Sequence, residues 1–291
     1  MTLILALFAF ANGLQAPASA PLALDMKQRP MTAVQINEGT AVDMLVDTGA
    51  QSSLLTTALS QSLALPPTGE TVTVNGAAGS TLAPVVAIRR MTTPLFDLRD
   101  ATLIALPRIG VTQAKGIVGM DLFSGRKLTF DLVARQLSVA NSGPAPDGYA
   151  TIKGVFQGNG LLHVPLTVDG VVIDALVDTG AEGSVANEAA LRALGWKSDD
   201  PRLKANGTMS GATAGSAAVR RGTVGMVSLG PVNFRNVPLT FTGATDTRPR
   251  IILGIDMLGL LERFALDLPR GELQIYVPSR PTASAVPRTG S

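Results

Sequence analysis

The sequence predicts an all-β protein of two pseudo-twofold-related lobes with short helices, and a functional site where the lobes meet. Three observations carry that expectation. The hexapeptide LVDTGA stands at Leu45–Ala50 and again at Leu176–Ala181. A Gly-x-Asp landmark follows each copy, in GIVGMDLF at Gly116–Phe123 and in IILGIDML at Ile251–Leu258. Between these landmarks the chain is built of short apolar or alternating runs rich in β-branched residues and broken by glycines, which is the pattern of strands and hairpins.

Taken in order, VDMLVD and VIDALVD read as strands, each preceded by a turn at Glu38-Gly39 or Asp169-Gly170 that signals a hairpin. Apolar residues recurring three and four apart in LLTTALSQSLAL and VANEAALRALGW predict a short helix after each DTGA. Two long ribbons come next, with Gly76 and Gly79 near the tip of the first and Gly211 and Gly215 near the tip of the second. Asp121 and Asp256 read as N-caps of short helices after the second glycine landmark. Asn141–Ala150, NSGPAPDGYA, is almost wholly turn-forming and reads as a linker.

Composition narrows the function. A chain of 291 residues with 46% hydrophobic residues can bury one large or two moderate cores. Lys and Arg number 24 against 22 Asp and Glu, with no dense basic run, so nucleic acid is not an expected partner. Without Cys there is no disulfide framework and no thiolate metal site. His163 is the only histidine and lies in the alternating run LLHVPLTV, where it reads as a strand-borne packing or surface residue.

At the N-terminus, the apolar run Leu3–Ala11 followed by Ala18-Ser19-Ala20 reads as a signal peptide cleaved after Ala20. It predicts a periplasmic or secreted protein, with an uncleaved membrane anchor as the alternative. The expected division is 1–20 signal peptide, 21–140 N-terminal lobe, 141–150 linker, 151–278 C-terminal lobe and 279–291 disordered tail.

An acidic residue at the end of an apolar strand, followed by a small hydroxyl residue and glycine, sets a carboxylate on a tight loop that backbone N–H groups can approach. Duplicated lobes around a pseudo-twofold axis would bring two such loops together. Paired carboxylates also serve glycosidases, but that chemistry does not call for two equal lobes with one DTG each. Asp47 and Asp178 have no His or acidic cluster beside them in sequence to suggest a metal.

From roughly Thr32 to Val277 the chain resembles a retropepsin-like aspartic protease with both β-barrel lobes in one chain. The resemblance implies Asp47 and Asp178 as the catalytic pair. Thr48 and Thr179 would tie the loops together, and Gly49 and Gly180 would allow their close approach. Ala50 and Ala181, where pepsin-like enzymes carry Ser, would leave the dyad with one donor fewer and its shared proton retained to higher pH. The resemblance further implies peptide hydrolysis through an activated water, with no metal or cofactor, in a monomeric pseudo-dimer. The rival is a peptide-binding or scaffold module on the same fold that does not cleave.

For substrate binding the resemblance points to Gln51 and Glu182, and to two flaps carrying Gly76, Gly79, Gly211 and Gly215. Met120 and Ile255 stand where retropepsins often place an Arg that pairs with the acid, so Glu182 is expected to lack a partner until substrate arrives.

Overall fold

The computed structural model describes residues 17–76, 79–156, 160–211, 215–243 and 247–278. Both the apolar run Leu3–Ala11 and the tail 279–291 lie outside the described residues. Among the described residues no helix is long and apolar enough to cross a membrane.

Each lobe is a closed β-barrel. In the first, Pro30–Ile36, Val42–Val46, Gly116–Val118, Leu54–Thr56, Phe96–Leu106 and Gly79–Thr93 pair in that order, and the last returns to the first through Gln35↔Thr92 and Ile36↔Met91. In the second, Leu162–Val168, Val171–Val177, Arg250–Leu253, Val185–Ala186, Val232–Thr242 and Ser216–Leu229 close the ring through Thr167↔Ser228 and Val168↔Val227. Closure leaves no exposed sheet edge along these strands.

Local sequence explains the elements. Pro30–Ile36 alternates buried and exposed residues along most of its length, with Val34 and Ile36 in the core. Val168 pairs with Val171 across Asp169 and Gly170, both with positive φ (45° and 86°), so Asp-Gly forms a two-residue primed turn. Its counterpart at Glu38-Gly39 sits in a wider turn beyond the Val34↔Val42 pair. The short helices are Thr57–Ser62 and Glu188–Ala193, capped by Thr56 Oγ1 accepting from the Leu59 amide and Asn187 Oδ1 accepting from the Ala190 amide.

A third sheet joins the lobes. Its order is Ala18–Pro21, Gln136–Asn141, Arg126–Asp131, Arg263–Asp267, Glu272–Tyr276, Tyr149–Lys153, with three strands on each side of the pseudo-twofold axis. The central register is its own image: Lys127 faces Asp267 and Asp131 faces Arg263. Phe130 and Phe264 pair there with rings stacked at 4.7 Å. The Ala18-Ser19-Ala20 triplet therefore belongs to an edge strand of this sheet, paired with Leu137–Val139, and Ala20 is buried. The linker is tied down as well, since Ser142 Oγ and the Gly143 amide both donate to the buried Asp267 carboxylate.

Beyond the barrels project the two ribbons, Pro67–Gly76 with Gly79–Thr93 and Lys204–Ser210 with Ser216–Leu229. At their described ends Gly79 and Gly215 approach each other: a Cβ placed on Gly79 would lie 3.9 Å from the Cα of Gly215.

Candidate active site

The strand Val42–Val46 delivers Asp47 to the interface, and Val171–Val177 delivers Asp178. Parallel pairing with Gly116–Val118 and Arg250–Leu253 anchors the two loops, through Asp47 N donating to Val118 O and Asp178 N to Leu253 O, each at 3.0 Å. Buried threonines lock the loops across the interface. Thr48 N donates to Thr179 Oγ1 (3.1 Å) and Thr179 N to Thr48 Oγ1 (3.0 Å). Each hydroxyl then donates onward into the opposite lobe, Thr48 to Val177 O (2.8 Å) and Thr179 to Val46 O (2.6 Å). Four hydrogen bonds thus satisfy every polar group that the two side chains bury.

Glycine is needed at both next positions because a Cβ on Gly49 would overlap the Asp178 carboxylate, and one on Gly180 would overlap that of Asp47. The same loops supply donors: Gly49 N to Asp47 Oδ1 and Gly180 N to Asp178 Oδ1, both 2.9 Å, and Ala181 N to Asp178 Oδ1 at 3.0 Å. The carboxyls bond to one another. Desolvation by the surrounding protein raises Asp178 well above the ordinary carboxylate range, and the neighbouring Asp47 charge adds to the rise. Desolvation raises Asp47 too, while its bond to Asp178 and the Arg29 charge pull the other way. One proton held between two crowded carboxyls follows from this arrangement.

Above the pair opens a cleft of about 1070 Å³ lined by both lobes and by both ribbons, including Gly76 and Gly211. Gln51 and Glu182 line it on opposite sides of the axis.

The Gly-x-Asp landmarks correct one expectation. Asp121 and Asp256 do not cap the short helices Met120–Phe123 and Ile255–Leu258, whose N-caps are Gly119 and Gly254. From within the first turn, Asp121 Oδ1 accepts from Ser53 Oγ (2.8 Å) and Asp256 Oδ1 from both Ser184 Oγ (2.6 Å) and the Met257 amide (2.9 Å), and each serine oxygen accepts from Gly119 N or Gly254 N. Sequence reading passed over these serines, although each stands six positions after its DTGA aspartate. The glycines fit because a Cβ on either would collide with backbone of the loop facing it.

A second correction concerns Glu182, which does have a partner. Lys27 Nζ bonds its Oε1 at 2.8 Å from the N-terminal hairpin of the other lobe. No motif spacing signals a contact between residues so far apart in the chain. In the same hairpin the buried pair Asp25–Arg29 (2.6 Å) directs Arg29 Nη1 to Gly180 O (3.2 Å) and Nη2 to Val111 O (2.8 Å). His163 is buried, with Nδ1 3.1 Å from Asp174 Oδ2. Among the described residues no group of three or more His, Cys, Asp or Glu could hold a metal ion.

With this geometry in view, a family model described as aspartyl protease matches residues 32–122 and 164–257, one segment per lobe and well over half of the chain. The chain belongs to the aspartyl protease family. Each match contains one DTGA loop and one Gly-x-Asp landmark, so the aspartyl protease unit occurs twice here in a single chain. A search of curated proteins finds no match to this aspartyl protease.

Proposed function

We propose that the protein is an endopeptidase that hydrolyses extended polypeptides with a water activated by Asp47 and Asp178. The observation that carries this reading is the pair of mutually bonded carboxyls, raised above their ordinary range, on the floor of a cleft of about 1070 Å³ between the lobes. In the half-protonated state the ionised carboxylate takes a proton from the water as its oxygen attacks the scissile carbonyl carbon. The protonated carboxyl donates to the carbonyl oxygen, giving a tetrahedral gem-diol. Collapse re-forms the carbonyl, breaks the C–N bond and passes a proton to the departing amine, which leaves the dyad with its single proton. Gly49, Gly180 and Ala181 amides hold the carboxylates in place throughout.

In this reading Gln51 and Glu182, which line the cleft, meet the backbone amides of the bound strand, and the two ribbons close over it and exclude water. Casein or a mixed peptide library tests the reading. Cleavage at acidic to neutral pH, abolished by Asp47→Asn, is the expected result. Intact peptide after prolonged incubation, with peptide binding retained, would make the protein a binding module instead.

A further inference from the structure

The two walls of the cleft come from equivalent strands, and pairing register aligns them residue by residue. In the first lobe Leu54 lies between Ile104 and Ile117, and the other neighbour of Ile104 is Val85. In the second lobe Val185 lies between Thr240 and Ile252, and the other neighbour of Thr240 is Arg221. Leu54, Val85, Ile104 and Ile117 thus correspond to Val185, Arg221, Thr240 and Ile252.

Side chains along this row share one face, because residues directly opposite in paired strands point the same way. In the first lobe the row is aliphatic throughout, and Leu54 and Ile117 belong to a buried apolar cluster with Leu45 and Ala83. In the second lobe a threonine and an arginine replace the two members at its ribbon end, Ile104 and Val85. Arg220, one position earlier, points to the opposite face and pairs there with Glu188 at 2.8 Å. Arg221 lines the cleft and is exposed.

No carboxylate pairs with Arg221 among the described residues, and its neighbour across the ribbon is another cation, Lys204. Other cations of the cleft are engaged, Lys27 by Glu182 and Arg29 by Asp25. Asp256, the remaining cleft acid outside the dyad, is held by Ser184. The second-lobe wall therefore carries a positive charge that no carboxylate neutralises among the described residues.

We propose that Arg221 makes the enzyme select peptides with an Asp or Glu side chain on one side of the scissile bond, the side held by the second lobe. The equivalent position across the bond, held by Leu54, Ile104 and Ile117, takes an aliphatic or aromatic side chain. A carboxylate beside Arg221 gains a charge-assisted, two-pronged contact. The same carboxylate in the first-lobe pocket would be desolvated against hydrocarbon with no partner, so the walls fix the direction in which a peptide lies as well as its sequence. This inference rests on the peptidase reading, and the test separates the two.

Cleavage-site profiling on a peptide library should enrich Asp and Glu at one position and apolar residues at the position mirrored across the cut. A matched pair differing by Glu for Gln there should differ about tenfold in kcat/KM, the effect of one charge-assisted bond. Arg221→Met should reduce that ratio to about twofold or less, and Arg221→Glu should turn the preference towards Lys and Arg. Binding of the same pair to Asp47→Asn, followed by fluorescence anisotropy, reads recognition without turnover. Cleavage with no acidic preference, or a preference that survives Arg221→Met, overturns the assignment. Acid-selective binding without any cleavage would overturn the peptidase reading and leave Arg221 in its role, whereas neither cleavage nor selective binding overturns both.

Discussion

In the two DTGA loops the contacts that bridge the lobes have exact counterparts: Thr48 meets Thr179 as Thr179 meets Thr48, and each hydroxyl reaches across to the other lobe's strand. In the hairpins that enter the lobes the symmetry is gone. The first turn, Asp25-Met26-Lys27-Gln28-Arg29, reaches over to hold Gly180 and Glu182. The matching stretch of the second, Gln157-Gly158-Asn159-Gly160-Leu161, carries no charge at all. Duplication supplied two identical loops, and a shared proton needs them both. Nothing in that chemistry requires the surroundings to match, so the hairpins were free to diverge, and the divergence places one cation near Asp47.

The largest effect tests the symmetric part. Asp47→Asn and Asp178→Asn should each lower kcat by at least about 10⁴-fold, because acid and base act as one unit. Single-turnover assays on one peptide check this, and a strong difference between the two variants would break the equivalence of the loops.

Next come the elements that hold the interface, where the two regions should behave differently. Arg29→Met leaves the buried Asp25 carboxylate unpaired and should cost roughly 3–5 kcal/mol in denaturant unfolding. Burial opposes ionisation of Asp25, but its bonds from Arg29, Lys27 and Thr112 outweigh this and hold its pKa below the ordinary value. The stability it contributes is thus present above the unfolded pKa of about 3.9 and is lost as pH falls through the lower folded value. The same variant removes a charge that lowers Asp47, so the acid limb of the pH–kcat/KM profile should move to higher pH. By contrast Thr48→Ala and Thr179→Ala should cost about the same as each other, roughly 2–4 kcal/mol, since each strands a buried amide and a buried carbonyl. Unequal losses would show that the interface is held from one side.

A smaller effect of opposite sign belongs to the dyad. The folded-state pKa of Asp178 is raised, so the stability linked to its protonation is complete below the unfolded pKa and lost as pH rises through the folded one. Asp178→Asn, which needs no proton to stay neutral, should therefore melt above the wild type at neutral pH by about 2–4 °C, the shift that ~1 kcal/mol gives in a protein of this order of size. The advantage should disappear on acidification.

Smallest of all is the Lys27–Glu182 pair, whose side chains are 37% and 60% exposed. Lys27→Met should change stability by about 0.2–1 kcal/mol, less at high salt. Glu182→Gln should weaken kcat/KM by about tenfold if Glu182 holds a substrate amide, and Gln51→Ala by less, because its bond is neutral. Equal effects at the two positions would restore charge symmetry to the cleft ends.

Much of this was legible in the residues. Exact repetition of LVDTGA marked both lobes, apolar and β-branched runs marked the strands Val42–Val46 and Val171–Val177, and Asp169-Gly170 marked its hairpin. Asp121 and Asp256 were misread as caps because an acid near a helix start can stand at the cap or one or two positions inside it, and only the fold brings Ser53 and Ser184 within reach. Ala18–Pro21 forms an edge strand whose pairing partner lies more than a hundred residues away, a contact that no local pattern signals.

By itself the sequence determined the duplication, the two carboxylates and the local elements that carry them, because strand period, turn chemistry and repeat identity are properties of neighbouring residues. Tertiary structure decided what lies opposite what. The proton shared by Asp47 and Asp178, the reach of Arg29 to Gly180 and the exposure of Arg221 in the cleft all depend on distances between residues remote in the chain, and these are set only when two closed barrels pack around a common axis.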